Sequence, residues 1–315
     1  MSSIVVTGAA GFIGSHTIEA FLAAGYSVVG VDNFRTGRRE NLARAQATEG
    51  FTFYEMDVLA PSGLSEICLA HQPAAIVHLA ALVSVPESFD NPMLNFRLNI
   101  ETTQVVIEAA RKSSVKRVVY ASSAAVYGDA GPGRVGEDAH TQPMSPYGAA
   151  KLASEKLLLG CSTAFGFAVH CLRYFNVYGL RQDPKSCYSG VISKFAGNLL
   201  AGIPFKIDGD GCQTRDFIHV QDVARANLLS ATVPHLKSGV ANICTGMPIS
   251  INEVAKVIAE RAGVTVVLRH GSARIGDIRE SCGDPARAKM EFGFSARTDF
   301  HSNVGELVAV APRGA

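Results

Sequence analysis

The chain has 315 residues, of which 47% are hydrophobic and 18% are charged, with 30 glycines and 13 prolines. This composition is typical of a globular protein and excludes a disordered, collagenous or coiled-coil chain. Lysine and arginine together number 29 against 28 acidic residues, so the net charge of +1 gives no reason to expect a nucleic acid or an anionic membrane as partner.

The seven cysteines are scattered without a CxxC pair, which argues against a disulfide framework and for a reducing compartment. The first residues lack the basic start and the apolar core of a secretory signal. No stretch approaches the ~18 apolar residues of a membrane span. We therefore expect a cytoplasmic protein with no membrane contact and no metal site.

Short apolar runs alternate with longer amphipathic segments in the first half of the chain. Strand-like runs at residues 4–6, 28–31, 75–79 and 117–122 alternate with helix-like segments at 12–24, 91–112 and 145–159. This alternation predicts βαβ units. Because the strand-like runs are apolar throughout, we expect an α/β fold with a doubly wound parallel sheet (Rossmann) covered by helices on both faces.

After about Tyr178 the pattern becomes less regular, with many glycine and proline interruptions. We expect a smaller C-terminal α/β lobe there. Residues 217–220 and 222–231 resemble one more strand and helix of the first lobe. The predicted division is a sheet domain of residues 1–175 and 217–246 and a second lobe of residues 176–216 and 247–315.

Three glycines, Gly8, Gly11 and Gly14, follow the first strand and open the first helix. The first glycine permits a tight turn, the second lets backbone N–H groups approach a pyrophosphate, and the third allows close packing of helix on strand. The positive end of the helix dipole adds to the attraction for phosphate. The pattern predicts a dinucleotide site, and its GxxGxxG spacing is similar to that of the short-chain dehydrogenase/reductase superfamily.

Acidic residues follow the next two strand-like runs. Asp32 stands where a carboxylate hydrogen-bonds ribose hydroxyls and repels a 2′-phosphate, which favours NAD over NADP. Arg35 and Arg38 lie close by and keep NADP open as an alternative. Asp57 follows a strand-like run at residues 53–56; it resembles the adenine contact of that superfamily, and the alternative is the N-cap of a helix.

Tyr147 and Lys151 are four residues apart, so they share one helix face. Ser122 and Ser123 end a predicted strand about 24 residues earlier, and a shared pocket would bring a serine hydroxyl, the phenol and a cofactor ribose to one substrate alcohol. A phenol has a pKa near ~10 and must fall by roughly three units to act as a base at neutral pH. We expect Lys151 and the positive nicotinamide of NAD⁺ to supply that shift. His78, at the end of another strand, is not expected to be catalytic.

Seven segments carry a specific resemblance: TGAAGFIGSH (7–16), HLAA (78–81), YASSAAVYGD (120–129), SPYGAAK (145–151), LRYFNVYG (172–179), GDGCQTRDFIHVQDVA (209–224) and RIGDIRES (274–281). Over nearly its whole length the chain resembles the UDP-galactose 4-epimerases, which are extended short-chain dehydrogenases/reductases. The resemblance implies a retained NAD that oxidises C4 of a UDP-sugar and returns the hydride to the other face. It assigns NAD to the first domain and the nucleotide sugar to the second lobe.

The resemblance also implies a role for each matching residue. Tyr147 would be the base, Lys151 the anchor of the nicotinamide ribose, and Ser123, in preference to Ser122, the hydroxyl that bonds the sugar O4. The cofactor contacts would be Gly8, Gly11, Phe12, Ile13, Gly14, Asp32, Asn33, Asp57, Val58, Leu79, Ala80, Ala81, Asn99, Tyr147, Lys151 and Tyr174. The substrate contacts would be Ser84, Ser123, Asn176, Val191, Arg215, Arg274, Asp277 and Ser281.

Two positions bear on the substrate. A small residue at Ser281, where related proteins can carry an aromatic ring, favours room for a 2-acetamido group. Ala124 and Ala125 stand where dehydratases carry an acid pair, so elimination is disfavoured and epimerisation remains. Residues 182–184 and 188–192 resemble a substrate-facing loop and helix of members that accept N-acetylated sugars.

Several alternatives remain open. A UDP-glucuronate 4-epimerase would want an additional cation near the sugar, for which Arg97, Lys185 and Lys194 are candidates. A nucleotide-sugar reductase would consume NAD(P)H, and a dinucleotide-sensing regulator would bind the cofactor without converting a sugar. The helices at 91–112 and 145–159 resemble those that pair family members, which implies a homodimer through a four-helix bundle.

Overall fold

The computed structural model describes residues 2–113, 115–182, 191–200, 203–273 and 278–309, and it describes only the backbone at 193, 200, 308 and 309. The described residues form thirteen strands. In chain order they are Ser3–Thr7 (β1), Ser27–Asp32 (β2), Phe51–Glu55 (β3), Ala75–His78 (β4), Arg117–Ser123 (β5), Ala168–Tyr174 (β6), Asn176–Tyr178 (β7), Phe205–Asp208 (β8), Thr214–His219 (β9), Gly239–Ile243 (β10), Pro248–Ser250 (β11), Leu268–Gly271 (β12) and Glu280–Ser281 (β13).

The same part of the chain forms thirteen α-helices. They are Phe12–Ala23 (α1), Ala43–Gln46 (α2), Gly63–His71 (α3), Val85–Asp90 (α4), Pro92–Phe96 (α5), Thr102–Lys112 (α6), Pro146–Phe165 (α7), Val191–Leu200 (α8), Val220–Thr232 (α9), Ile251–Ala262 (α10), Ala286–Phe292 (α11), Phe300–Asn303 (α12) and Glu306–Ala309 (α13). A π-helical stretch, Arg97–Glu101, joins α5 to α6, and short 3₁₀ turns cover Arg39–Leu42 and Ala124–Val126.

Seven strands form one parallel sheet in the order β10-β6-β5-β4-β1-β2-β3. Successive side chains of a strand point to opposite faces, so Ile4 and Val6 of β1 enter one core and Val5 enters the other. The first core includes residues of α1, α9 and α11, and the second includes residues of α3, α6 and α7. The sheet is therefore covered on both faces, and the predicted doubly wound fold is confirmed.

A smaller unit contains a four-stranded sheet, in which β9 pairs with β7, β11 and β13, and a two-stranded sheet of β8 and β12. A separate apolar core fills this unit, with Phe195, Phe205 and Phe217 among its members. The expectation that residues 217–220 add a strand to the large sheet is wrong, because β9 lies in the smaller sheet. The helix after it, α9, does pack on the large sheet, and β10 joins that sheet at its edge.

The helical predictions differ from the structure mainly at their ends. The segment 91–112 is helical from Pro92, although it is interrupted by the π-helical stretch, and α4 precedes it. The second segment extends to Phe165, beyond the expected end at 159, and a glycine with positive φ, Gly166, follows it. Within the described ranges, no helix has the length and apolar character to cross a membrane.

Candidate active site

The turn between β1 and α1 requires glycine for steric reasons. Gly8 has a φ of +70°, and a Cβ there would lie 2.8 Å from the backbone nitrogen of Ala80. A Cβ on Gly14 would lie 1.9 Å from the carbonyl oxygen of Gly8. The turn lies at the carboxyl end of β1, between β2 and β4, and the first turn of α1 carries no acidic side chain. The backbone N–H groups of Phe12 and Ile13 lie in the first turn of α1, and this end of a helix favours an anionic group.

Asp32 ends β2 beside this turn and is almost fully buried. Its carboxylate accepts hydrogen bonds from the backbone nitrogens of Ala10, at 2.9 Å, and Phe34, at 2.7 Å. Burial raises the pKa of Asp32, while these backbone donors oppose the shift. The carboxylate therefore ties the glycine turn to the loop that follows β2.

The neighbouring polar residues are linked to one another. Asn33 donates from Nδ2 to Asp57 Oδ2 at 2.9 Å, and Asp57 Oδ1 accepts from the backbone nitrogen of Leu59. Asp57 does not cap a helix, since α3 begins only at Gly63. Val58, beside it, is buried in the core under the sheet. Arg35, one of the two arginines that kept NADP open, forms an ion pair with Glu87 of α4.

The end of β4 is held by a hydroxyl. Thr7 Oγ1 accepts from the backbone nitrogens of Leu79, at 3.2 Å, and Ala80, at 3.3 Å, and lies 2.7 Å from Nδ1 of His78. Burial, assisted by the charge of Lys151, lowers the pKa of His78 to about 3. His78 is therefore neutral at physiological pH, and its hydrogen bond to Thr7 orders the strand ends that flank the glycine turn. Ala81, one residue further, is partly exposed.

Asn99 lies on the π-helical stretch and is 1% exposed. Its Nδ2 donates to the carbonyl of Leu82 at 3.1 Å and to Asn95 Oδ1 at 2.8 Å. Its Oδ1 is buried and has no hydrogen-bond partner among the residues that the structure describes. A buried acceptor of this kind fits a donor group on a bound molecule. Together with the glycine turn and Asp32, it makes the sheet edge suitable for a dinucleotide.

Tyr147 lies in the first turn of α7, which the Ser145 hydroxyl caps by accepting from the Gly148 nitrogen at 3.1 Å. The Ser88 hydroxyl accepts from the Tyr147 nitrogen at 3.2 Å and fixes that turn further. Ser123, at the end of β5, lies close enough to the Tyr147 phenol to influence its pKa, and its hydroxyl accepts from the Ala125 nitrogen at 3.1 Å. The structure thus brings the predicted serine and tyrosine together.

Lys151 follows one turn later and is 3% exposed. Its ammonium donates to the Ala121 carbonyl at 2.8 Å, and Nζ lies 4.9 Å from the ring centroid of Tyr120 and 5.8 Å from that of Tyr147. Burial lowers the pKa of Lys151 to about 7, while the charge of Glu155 opposes that shift.

The electrostatics differ from the sequence-based expectation in one respect. Burial raises the pKa of Tyr147, and the nearby Ser123 side chain, rather than the charge of Lys151, opposes this shift. Burial also lowers the pKa of Lys151 to about 7, so its ammonium loses its proton at a lower pH than a phenol of raised pKa. The chain therefore does not by itself make the phenol acidic.

A cavity between the large sheet and the smaller unit contains four of the predicted substrate residues, Ser123, Asn176, Arg215 and Ser281, and it also contains Tyr174. Arg215 donates from Nη1 to the carbonyls of Thr214, at 2.8 Å, and Ile278, at 2.7 Å. Asn176 donates from Nδ2 to the Asp216 carbonyl at 3.1 Å. Tyr174 donates its phenolic proton to Asn227 Oδ1 at 2.6 Å. The cavity therefore adjoins the Ser123–Tyr147 pair and has a cation on its wall.

The other predicted substrate residues are placed less directly. Ser84 is buried and caps α4 by accepting from the Glu87 nitrogen at 2.9 Å. Val191 is the first residue of α8. Arg274, Asp277, Lys185 and most of the expected substrate-facing loop lie outside the described residues.

Sequence reasoning missed three polar residues that organise this site. Thr7 orders the end of β4, and Glu155 and Arg173 form a buried ion pair behind β5. Glu155 follows Lys151 by four residues, so continuing the YxxxK spacing by one turn would have found it. Thr7 and Arg173 are ordinary strand residues in the sequence, and only the sheet pairing reveals their partners.

Comparison with known proteins agrees with this geometry. Residues 4–244 match the model of the NAD dependent epimerase/dehydratase family. A UDP-glucose 4-epimerase of Mycolicibacterium smegmatis is 36% identical over 305 residues, covering 96% of each chain.

Two solved structures extend the likeness to the whole fold. A UDP-N-acetylglucosamine 4-epimerase from Methanobrevibacter ruminantium M1, in complex with UDP-N-acetylmuramic acid, superposes with a TM-score of 0.92 at 34% identity, covering 98% of this chain and 97% of that one. A UDP-glucuronic acid 4-epimerase from Bacillus cereus, in complex with UDP-glucuronic acid and NAD, gives a TM-score of 0.89 at 29% identity and covers 98% and 99%. The chain therefore belongs to the NAD-dependent epimerase/dehydratase family, and within it to the UDP-galactose 4-epimerases, whose cofactor is NAD.

Proposed function

We propose that this enzyme interconverts UDP-sugars that differ in configuration at C4, with Tyr147 as the base, Ser123 as the hydroxyl at the sugar O4 and Lys151 as the anchor of the cofactor ribose. The observation that carries this proposal is the proximity of the Ser123 side chain to the Tyr147 phenol at the edge of the cavity, with Lys151 one helical turn away. A general base must lie within hydrogen-bond reach of the proton that it removes, and the position of Tyr147 beside a residue of the cavity wall supports that role.

Bound NAD supplies the acceptor, and later the donor, of the hydride at C4. Tyr147 takes the proton of the C4 hydroxyl as the hydride leaves, and it returns the proton to O4 once the 4-keto sugar has turned over in the cavity. The Ser123 hydroxyl orients O4 during both transfers. Since burial raises the pKa of Tyr147, the positive nicotinamide is the charge that must favour the phenolate.

We propose that the cofactor contacts are those named from the sequence, and that Asn99 and Lys151 would be among the residues that hold the cofactor. Support comes from the crowding at Gly8 and Gly14, the buried carboxylate of Asp32 and the unpartnered Oδ1 of Asn99. Arg215 is proposed to bind the nucleotide diphosphate, because a guanidinium makes charge-assisted hydrogen bonds with phosphate oxygens. Arg274 and Asp277 remain proposed nucleotide contacts by resemblance.

We propose UDP-N-acetylhexosamines and UDP-hexoses as the substrates. Ser281 lies on the cavity wall, where a small side chain leaves room for an acetamido group. Arg97, one candidate partner for a uronate carboxylate, is ion-paired with Glu101 at 3.5 Å on a helix surface. A carboxylate, Glu280, also lies on the cavity wall and would repel a uronate. UDP-glucuronate nevertheless stays the second candidate, because a structural relative binds it.

The direct test is to incubate the purified protein with UDP-GlcNAc, UDP-Glc and UDP-GlcA and to separate the C4 epimers by chromatography. We expect interconversion of at least one neutral sugar nucleotide without added or consumed NADH. Net consumption of NAD(P)H would identify a reductase. Cofactor binding with no conversion of any of the three would overturn the epimerase proposal and favour a regulator.

We propose a cytoplasmic homodimer formed through a four-helix bundle of the α5–α6 segment and α7. Exposed apolar side chains near these helices support a dimer interface there: Phe89 is 58% exposed, Met93 68% and Phe96 43%. Leu157 on α7 is also exposed. The molar mass in solution, measured by light scattering, tests the dimer, and a monomer at micromolar concentration would contradict it.

We also propose that residues 1–175 with 217–246 bind NAD and that the remainder binds the nucleotide sugar.

A further inference from the structure

The last three residues of β5 each face one side of α7. The Ala121 carbonyl accepts from Lys151 Nζ at 2.8 Å, the Ser122 hydroxyl donates to Glu155 Oε1 at 2.5 Å, and the Ser123 side chain lies beside the Tyr147 phenol. Tyr147, Lys151 and Glu155 are spaced by four residues and therefore share this face. Two of the three contacts involve the proposed catalytic groups, and the third involves a carboxylate without an assigned role.

Glu155 is fully buried and is bound on its other side by Arg173 of β6. The guanidinium donates from Nε to Oε1 at 2.9 Å and from Nη2 to Oε2 at 2.7 Å, which is a bidentate pair. A buried ion pair of this kind is often no more stable than well-packed apolar residues of similar volume. Stability alone therefore does not account for a carboxylate at this position.

The groups that face Glu155 from the surrounding elements leave it as the anion beside Lys151. Arg173 forms an ion pair with it from β6, and the Arg173 Nη1 also donates to the Glu137 carbonyl at 3.2 Å. Tyr120 of β5 and Cys171 of β6 also lie near Glu155, and burial raises the pKa of both, so they are neutral at physiological pH. Glu155 is the charged group that favours the protonated form of Lys151.

We propose that Glu155 is a positioning residue of the active site: through Ser122 it fixes the end of β5 against α7, so that Ser123 and the Ala121 carbonyl meet Tyr147 and Lys151, and its negative charge keeps the Lys151 ammonium protonated. This inference rests on the roles given above to Ser123, Tyr147 and Lys151. It separates two contributions, one geometric and one electrostatic, which two substitutions can remove independently.

Glu155→Gln keeps an oxygen acceptor for Ser122 and Arg173 but removes the charge. We expect Lys151 to lose its proton at a pH about one unit lower, which NMR titration of lysine-labelled protein measures directly, with Lys151→Met identifying the signal. The high-pH limb of kcat should move in the same direction, because the ammonium is lost earlier. Ser122→Ala removes the strand contact and keeps the charge, so we expect kcat to fall about tenfold without a shift of the titration.

The control is Glu260→Gln on α10, where the carboxylate pairs with Lys256 at 3.8 Å on an exposed surface, and we expect it to change neither quantity. If Glu155→Gln fails to fold, Glu155→Gln combined with Arg173→Met removes the uncompensated cation and permits the same titration. A folded variant in which Lys151 titrates at the wild-type pH, or a Ser122→Ala enzyme with wild-type kcat, would overturn the corresponding part of the proposal. The Lys151 titration does not depend on turnover, whereas Tyr147→Phe tests the proposed function itself.

Discussion

The proposed chemistry depends on the phenol of Tyr147. Tyr147→Phe keeps the ring and the hydrogen bond from the backbone nitrogen of residue 147 to Ser88, and it removes only the hydroxyl beside Ser123. We expect a folded protein that retains NAD and epimerises its substrate ~10²–10⁴-fold more slowly, which is the usual contribution of general acid–base catalysis. Steady-state rates and the NAD absorbance of the purified variant measure the two expectations.

Tyr54→Phe is the matched control, because Tyr54 lies on β3 and its phenol hydrogen-bonds His71 on the surface. We expect this variant to have wild-type turnover. Turnover of Tyr147→Phe within a few-fold of wild type would remove Tyr147 from the role of base. Loss of NAD from that variant would instead indicate a binding defect, and the rate would then have to be measured at saturating cofactor.

Lys151 is expected to reduce the stability of the fold. Its pKa is lowered from 10.5 in the unfolded chain to about 7, so the folded state binds fewer protons between these two values. The destabilisation is therefore complete at and below pH 7 and declines as the pH rises towards 10.5. Lys151→Met should raise the free energy of unfolding by on the order of 3–5 kcal/mol at pH 7. Loss of the hydrogen bond to Ala121 reduces that gain.

Urea unfolding of wild type and Lys151→Met at pH 7 and pH 9.5 measures this expectation. The stabilisation should be smaller at the higher pH, and epimerase activity should be lost at both. An equal stability difference at both pH values would mean that the ammonium is not desolvated as the structure indicates. In that case, burial of Lys151 in the proposed active site would not reduce the free energy of unfolding.

Single residues also show which features of the site can be predicted from the sequence and which cannot. The choice of Ser123 over Ser122 follows from the motif, and the structure gives a physical reason, since the Ser122 hydroxyl is directed to Glu155. The raised pKa of Tyr147 does not follow from the sequence, because burial depends on residues that pack against α7 from distant parts of the chain. Spacing along a helix is local information, whereas desolvation is not.

The loop after β2 is proposed to set the preference for NAD over NADP. The Asp32 carboxylate stands at the end of the strand, and Arg35 is held by Glu87 of α4, so no guanidinium of this residue is directed to a 2′-phosphate. Asp32→Asn should weaken NAD binding and relieve the repulsion of a 2′-phosphate. Adding Glu87→Gln releases Arg35 and should shift the ratio of NADP to NAD affinity by a further factor of about ten.

Dissociation constants of NAD and NADP, measured by calorimetry for the wild type and the two variants, test this expectation. Glu55→Gln is the control, because its carboxylate pairs with Arg39 at 2.7 Å on the surface of the same sheet edge. An unchanged affinity ratio in the double variant would mean that Arg35 does not reach the adenosine ribose when its partner is removed.

At the scale of elements, strands and long helices follow from local pattern, whereas their partners do not. The runs that became β1, β2, β4 and β5 are apolar on both faces, which is possible only in a covered parallel sheet. The run at 217–220 has the same character, yet β9 pairs in the smaller sheet. Its partners β7, β11 and β13 are two or three residues long, and strands this short carry little pattern of their own.

At the scale of the whole molecule, the proposed substrate site is lined by residues of both sheets. Ser123 ends β5 of the large sheet, whereas Arg215 and Ser281 lie on β9 and β13 of the smaller one, in register with each other. The order of the parallel strands places the glycine turn and the Ser123–Tyr147 pair at one edge. In the proposed function, the catalytic residues thus belong to the large sheet and its helices, whereas two of the proposed sugar-nucleotide contacts belong to the smaller sheet.

That arrangement predicts a selective effect at Ser281. Ser281→Tyr places a ring on the cavity wall opposite Ser123, so we expect turnover of UDP-N-acetylhexosamines to fall by at least tenfold while UDP-Glc is converted at close to the wild-type rate. A missing or added group in a pocket is worth roughly 1–3 kcal/mol, which corresponds to that range. The kcat/KM values for both substrates, measured in one preparation, give the ratio. Ser281→Ala is the control, because it preserves the space, and it should leave the ratio unchanged. Equal loss on both substrates would mean that the ring blocks the cavity itself, and the position would then have no part in discriminating sugars by size.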